Sequence, residues 1–138
     1  MALADVLIVE DDEMIREVLA EFLASEGYSV YQAPDGRPAL ERLRTHPVGL
    51  VVLLDLMMPD MDGYAVLQAV AAESPMATRH VYILMTATGR FLPTKVIPLL
   101  KQLNVSSLSK PFDLDDLLAA VQKACAGYIS HKLSIWSE

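Results

Sequence analysis

The sequence predicts an α/β fold in which a parallel five-stranded sheet carries helices on both faces. Two observations lead to it. Short apolar runs alternate regularly with stretches of helical periodicity, the pattern of repeated strand-helix units. The run Leu50-Val51-Val52-Leu53-Leu54 is apolar throughout, as a strand buried on both faces of a parallel sheet should be.

The elements follow in order. Residues 3–9 form an apolar run that stops at Glu10-Asp11-Asp12, a strand delivering acids to its carboxyl end. In 13–25 the apolar residues Met14, Ile15, Val18, Leu19, Phe22 and Leu23 recur at helical spacing, and Gly27 follows as a stop. A second strand spans 28–33, Pro34-Asp35-Gly36 is turn chemistry, and 38–45 reads as a short helix. The apolar run 50–54 ends at Asp55; after the turn-rich segment 58–63, a helix is predicted over 64–73 and a fourth strand over 81–85, stopping at Thr86. The segment 106–109 is a weak fifth strand, and 113–126 a final helix with Asp113 as N-cap. Between 89 and 103 a helix is due, but Pro93 and Pro98 fall inside it, which predicts a broken or displaced helix. One domain is expected over 1–126, with 127–138 as a tail beyond the last helix and no output domain.

Composition narrows the function. The chain of 138 residues is 53% hydrophobic, yet none of its apolar runs approaches the length needed to cross a bilayer, about 18 residues or more. The acidic amino-terminal region is opposite to a secretory signal, and the single Cys125 cannot form an internal disulfide, so a cytoplasmic location is expected. A net charge of −7 with no basic stripe argues against direct binding of nucleic acid and suits a cation site or a protein partner.

Ligands of an open α/β sheet sit outside the carboxyl ends of its strands, so Asp11 and Asp12 after strand one should meet Asp55 after strand three. Carboxylates held together repel, and a hard divalent cation neutralises them; Mg²⁺ fits because it takes a few carboxylates and keeps waters for a phosphoryl group. A carboxylate can attack phosphorus and form an aspartyl phosphate if positive groups offset the transferred charge. Lys110 after strand five would be such a group, and Thr86 after strand four a hydroxyl donor. Each residue alone has an ordinary explanation as a cap or a solvated surface group. Their order along the chain puts all of them on one sheet edge.

These residues resemble the receiver domains of two-component response regulators. The resemblance covers about 3–125 and rests on Leu7-Ile8-Val9-Glu10-Asp11-Asp12, on Leu54-Asp55-Leu56-Met57-Met58-Pro59-Asp60-Met61-Asp62-Gly63, on Met85-Thr86-Ala87 and on Lys110-Pro111-Phe112. It implies a flavodoxin-like (βα)5 fold with strand order 2-1-3-4-5, Asp55 as phosphoacceptor, and Mg²⁺ held by Asp11, Asp12, Asp55 and the backbone carbonyl of Met57, with Asp12 more direct than Asp11. It further implies contacts from Thr86 and Lys110 to the phosphoryl group and a cis Lys110-Pro111 bond. Thr88 is the alternative to Thr86. Where the family commonly carries an aromatic residue, three positions before the lysine, this chain has Ser107.

The function expected is a phosphorylation switch rather than an enzyme. A histidine kinase or histidine phosphotransfer protein would supply the phosphoryl group to Asp55, and the new charge would bias two conformations and signal to a protein partner. No membrane and no direct nucleic-acid partner is expected, and the chain should be a monomer or weak dimer. The apolar Met57 should orient attacking water poorly, which predicts a persistent phosphoryl state. Two alternatives exist: a constitutive interaction module with a degenerate switch, suggested by Ser107, and a Mg²⁺-dependent phosphohydrolase, which would need a second acid near Asp55 where Leu56-Met57 stands.

Overall fold

The computed structural model describes residues 4–87 and 92–136, with side chains as far as Gly127. Five parallel strands lie in the order β2-β1-β3-β4-β5, with β1 at Asp5–Val9, β2 at Ser29–Ala33, β3 at Leu50–Asp55, β4 at Val81–Ala87 and β5 at Ser106–Lys110. Helix α1, Glu13–Ser25, follows β1; α2, Gly36–Thr45, follows β2; α3, Gly63–Ala72, and a short α4, Ser74–Arg79, follow β3. A 3₁₀ turn, Thr94–Val96, runs into α5, Ile97–Gln102, and α6, Leu114–Trp136, ends the described chain.

Alternation along the strands divides the core in two. Leu7, Val9, Val52, Leu54, Tyr82 and Leu84 pack on one face with Leu40 and Leu43 of α2, Leu67 and Val70 of α3, Met76 and Val96. Val6, Ile8, Val51, Leu53, Ile83 and Met85 pack on the other with Leu19 and Leu23 of α1 and Leu117 and Val121 of α6. All six residues of β3 are buried. Each such aliphatic side chain contributes about 1.5–3 kcal/mol by leaving water, which fixes β3 at the centre of the sheet and holds the residue at its end in place.

Local chemistry sets the helix boundaries. Asp35 accepts from the Arg37 N–H at 2.9 Å and caps α2, which places Pro38 in the first turn, where a missing N–H costs little. Asp113 caps α6 by accepting from Asp116 N–H at 2.8 Å, and Asp116 returns a bond to the Asp113 N–H at 3.3 Å, a reciprocal box. The expected fourth helix is shortened as its prolines predict. Pro93 precedes the 3₁₀ turn and Pro98 stands in the first turn of α5; residues 89–91 of the expected span lie outside the described residues.

The structure moves one expected boundary and adds one element. The final helix, expected to end at 126, runs on through Gly127 to Trp136. No proline interrupts that stretch, and one interior glycine costs only about 1 kcal/mol. The segment after Glu73 forms α4: Glu73 is extended and ends α3, and Pro75 then opens the new turn that buries Met76.

Candidate functional site

The parallel strands bring their carboxyl ends to one edge. Glu10 follows β1 and donates its N–H to Ala33 O at 3.1 Å, continuing the pairing with β2 for one residue. Asp55 is the last residue of β3 and pairs with Met85; on the next strands Thr86 pairs with Ser109 and Ala87 with Lys110. Among the described residues, the acids that converge as potential metal ligands are Glu10, Asp11 and Asp55, each with an oxygen within 4.8 Å of the others. Glu10 and Asp55 are 1% and 7% exposed, while Asp11 opens to solvent.

One ammonium faces this group. Lys110 Nζ lies 2.8 Å from Glu10 Oε1 and 3.4 Å from Asp55 Oδ2. Burial works against its charge, but the hydrogen bond to Glu10 and the charges of Asp55 and Glu10 outweigh it and hold the ammonium above its usual range. Burial, together with the hydrogen bond to Glu10, raises the Asp11 carboxyl above the ordinary carboxylate range. Three carboxylates against one ammonium leave an excess of negative charge, and a hard divalent cation accepting oxygen ligands fits that donor set. The other oxygen of Asp55, Oδ1, accepts from Met57 N–H at 3.2 Å, so both oxygens are oriented.

The loop after β3 is built to bring its backbone close. A Cβ on Gly63 would stand 2.6 Å from Asp55 O and 2.8 Å from Leu56 Cα, so only glycine lets α3 begin against the end of β3. Gly63 N–H donates to Leu56 O at 2.9 Å, Asp62 caps α3 through Ala65 N–H at 2.9 Å, and Asp60 takes a left-handed φ of 62° that aspartate tolerates in turns. Gly36 serves the adjoining element: a Cβ there would meet Met61 Cγ at 2.7 Å. The Lys110-Pro111 bond is cis.

The acids do not sort as expected. Asp12 accepts from Ile15 N–H at 3.0 Å and is the N-cap of α1, outside the converging group. Glu10, which the sequence reading left out, takes the inner place: its side chain reaches Lys110, its Oε2 accepts from Asp12 N–H at 3.3 Å, and its carbonyl accepts from Arg16 at 2.8 Å. The signal for both was present. An aspartate directly before a helical apolar pattern is a cap, and the first residue beyond a strand projects over its end. Asp11, Asp55, Lys110 and Thr86 come to the same edge, Thr86 half-buried on β4; Thr88 lies outside the described residues. Ser107 is exposed on β5 beside Leu84.

Comparison with known proteins decides the family. The sequence profile of the response regulator receiver domain matches residues 6–122. The chain belongs to that family. Receiver domains are signalling switches of two-component systems rather than conventional enzymes. The regulatory protein AtoC of Escherichia coli K12 is 36% identical over 124 residues, 89% of this chain and 25% of that protein. The response regulator RR06 of Streptococcus pneumoniae is 47% identical over 66 residues, 48% of this chain and 30% of that protein. The receiver thus spans between a quarter and a third of these curated relatives. Among solved structures, a CheY-like receiver domain protein from Methanospirillum hungatei superposes with a TM-score of 0.81 at 29% identity, covering 92% of this chain and 98% of that one. The Vibrio cholerae chemotaxis protein CheY4 gives a TM-score of 0.74 at 29% identity, covering 89% and 99%. The expected strand order 2-1-3-4-5 is the one observed.

Proposed function

We propose that this receiver takes a phosphoryl group onto Asp55 from a phosphohistidine on a histidine kinase or phosphotransfer protein, and that the phosphorylated state signals to a protein partner. The observation that carries the reading is the double hold on Asp55: Met57 N–H on Oδ1 and the Lys110 ammonium 3.4 Å from Oδ2. A carboxylate oriented on both oxygens presents a free lone pair to phosphorus and has a cation at hand for the negative charge that arrives. Asp55 oxygen bonds to phosphorus as the phosphorus–nitrogen bond of the donor breaks, and Lys110 and the Thr86 hydroxyl take up the equatorial oxygens. Asp11, Asp55 and the Met57 carbonyl would hold Mg²⁺, with Glu10 behind them; when bound, the ion neutralises phosphoryl oxygens. Asp12 contributes through α1 instead.

The surface beside the site suits a protein donor. Met14, Ile15 and Val18 of α1 are 77%, 41% and 50% exposed, apolar side chains on the helix that follows β1. No described helix is long and apolar enough to cross a membrane, and the reading places the reaction in the cytoplasm.

Intact mass after incubation with acetyl phosphate and Mg²⁺ tests the proposal. The expected result is a Mg²⁺-dependent gain of one phosphoryl group that Asp55→Asn abolishes. One observation favours a second reading, a constitutive interaction module: β5 presents Ser107, with no ring to move inward on activation. No gain of mass by a protein shown to bind Mg²⁺ would select that reading.

A further inference from the structure

Five of the described methionines fall into two groups, with Met61 half-buried between them. Met14 and Met57 are 77% and 72% exposed, whereas Met58, Met76 and Met85 are 9%, 2% and 0% exposed. An exposed thioether is the first to meet a dissolved oxidant, and a buried one is shielded by its packing. Met57 is also tied to the acceptor. Its N–H donates to Asp55 Oδ1, and Gly63 N–H to Leu56 O closes the loop around it, so the residue stays beside the carboxylate.

We propose that Met57 is a modification site at which an oxidant of the peroxide class sets the lifetime of the phosphoryl group on Asp55. The inference rests on the phosphoacceptor reading above. In the first step the sulfur attacks a peroxide oxygen; a sulfur–oxygen bond forms, the oxygen–oxygen bond breaks, and water leaves. Sulfur loses two electrons and peroxide gains them. A thioether is a weak hydrogen-bond acceptor. The sulfoxide oxygen is a strong one, and it converts an apolar side chain at the rim of the site into a polar one that holds water. That water is the nucleophile of the reverse reaction. Its oxygen bonds to phosphorus, the phosphorus–oxygen bond to Asp55 breaks, and its protons pass to phosphate and solvent, returning the carboxylate. The reduced protein leaves the water unheld and the phosphoryl state long-lived; the oxidised protein shortens it. Met14, equally exposed but placed on α1, is an internal control.

The test uses the whole chain with Cys125→Ser, so that its single thiol plays no part. Peptide mass mapping after brief treatment with hydrogen peroxide should find one added oxygen on Met57 and Met14 before Met76 or Met85. Protein loaded from acetyl phosphate should then lose its phosphoryl group several-fold faster than untreated protein, and methionine sulfoxide reductase should restore the original half-life. Met14→Leu should keep this response. Met57→Leu, whatever its own half-life, should show the same value before and after peroxide. A response that persists in Met57→Leu, or an unchanged half-life in protein whose Met57 is oxidised, overturns the inference while leaving the phosphoacceptor reading intact. Untreated protein that takes up no phosphoryl group overturns both.

Discussion

Replacing Asp12 separates a capping carboxylate from a metal-binding one. Its side chain accepts the Ile15 N–H at 3.0 Å, one of the four amide groups a helix start leaves without partners. Removing such a cap costs about 1 kcal/mol, within a range of about 0.5–2, and loss of the charge at the positive end of α1 adds about 0.3–1. Asp12→Ala should therefore cost roughly 1–2 kcal/mol, which in a domain of this size lowers Tm by about 3–8 °C. Asp12→Asn keeps the acceptor and should recover most of the loss. Mg²⁺ affinity, measured by isothermal titration calorimetry, should fall much further with Asp11→Asn than with Asp12→Ala, because an exposed charge away from the ion acts through high-dielectric water. If Asp12→Ala leaves Tm unchanged and removes Mg²⁺ binding as fully as Asp11→Asn, the assignment of the two acids is reversed and the reasoning fails.

Two further outcomes follow from the packing. Gly63→Ala should destabilise the domain by about 1–3 kcal/mol in urea titration and slow phosphoryl uptake, because its Cβ must displace the Asp55 carbonyl that stands 2.6 Å away; uptake at the wild-type rate would show that the loop yields without moving Asp55. His80 is buried, with Nδ1 accepting Leu50 N–H at 2.9 Å and Nε2 2.8 Å from Leu43 O, a pairing only the neutral ring satisfies. Burial lowers its pKa below 6.5, so its contribution is complete above pH 6.5 and is lost as pH falls through the lower folded value. Urea midpoints measured between pH 5 and 7.5 should decline toward acid in the wild type, and His80→Gln should flatten that slope.

Much of the fold is readable because burial leaves a period. The uninterrupted run of β3, the helical spacing of α1 and the acids that end β1 and β3 all name their elements, and strand order then brings Asp11, Asp55, Thr86 and Lys110 to one edge. What is not readable depends on distances between elements. The Gly63 requirement exists only because α3 starts so close to the end of β3 once folded that a Cβ there would stand 2.6 Å from Asp55 O. The exchange of places between Glu10 and Asp12 turns on which carboxylate projects over the sheet and which turns back to a helix amide. Glu73 ends α3 through an extended backbone that its residue type does not announce, and Gly127 fails to end α6 although glycine is the usual helix stop.

The Lys110 side chain starts on β5, passes the ends of β4 and β3, and is met by Glu10 beyond β1. Neighbouring strands stand about 4.8 Å apart, so this pair bridges three spacings, about 14 Å, with two flexible arms. Arm length thus becomes a gauge of sheet geometry. At position 10 a glutamate reaches one methylene further than an aspartate, and it holds the ammonium at 2.8 Å while the acceptor carboxylate stands at 3.4 Å. A twist of the outer strands by a fraction of an ångström per spacing would be summed across all three and read at a single nitrogen.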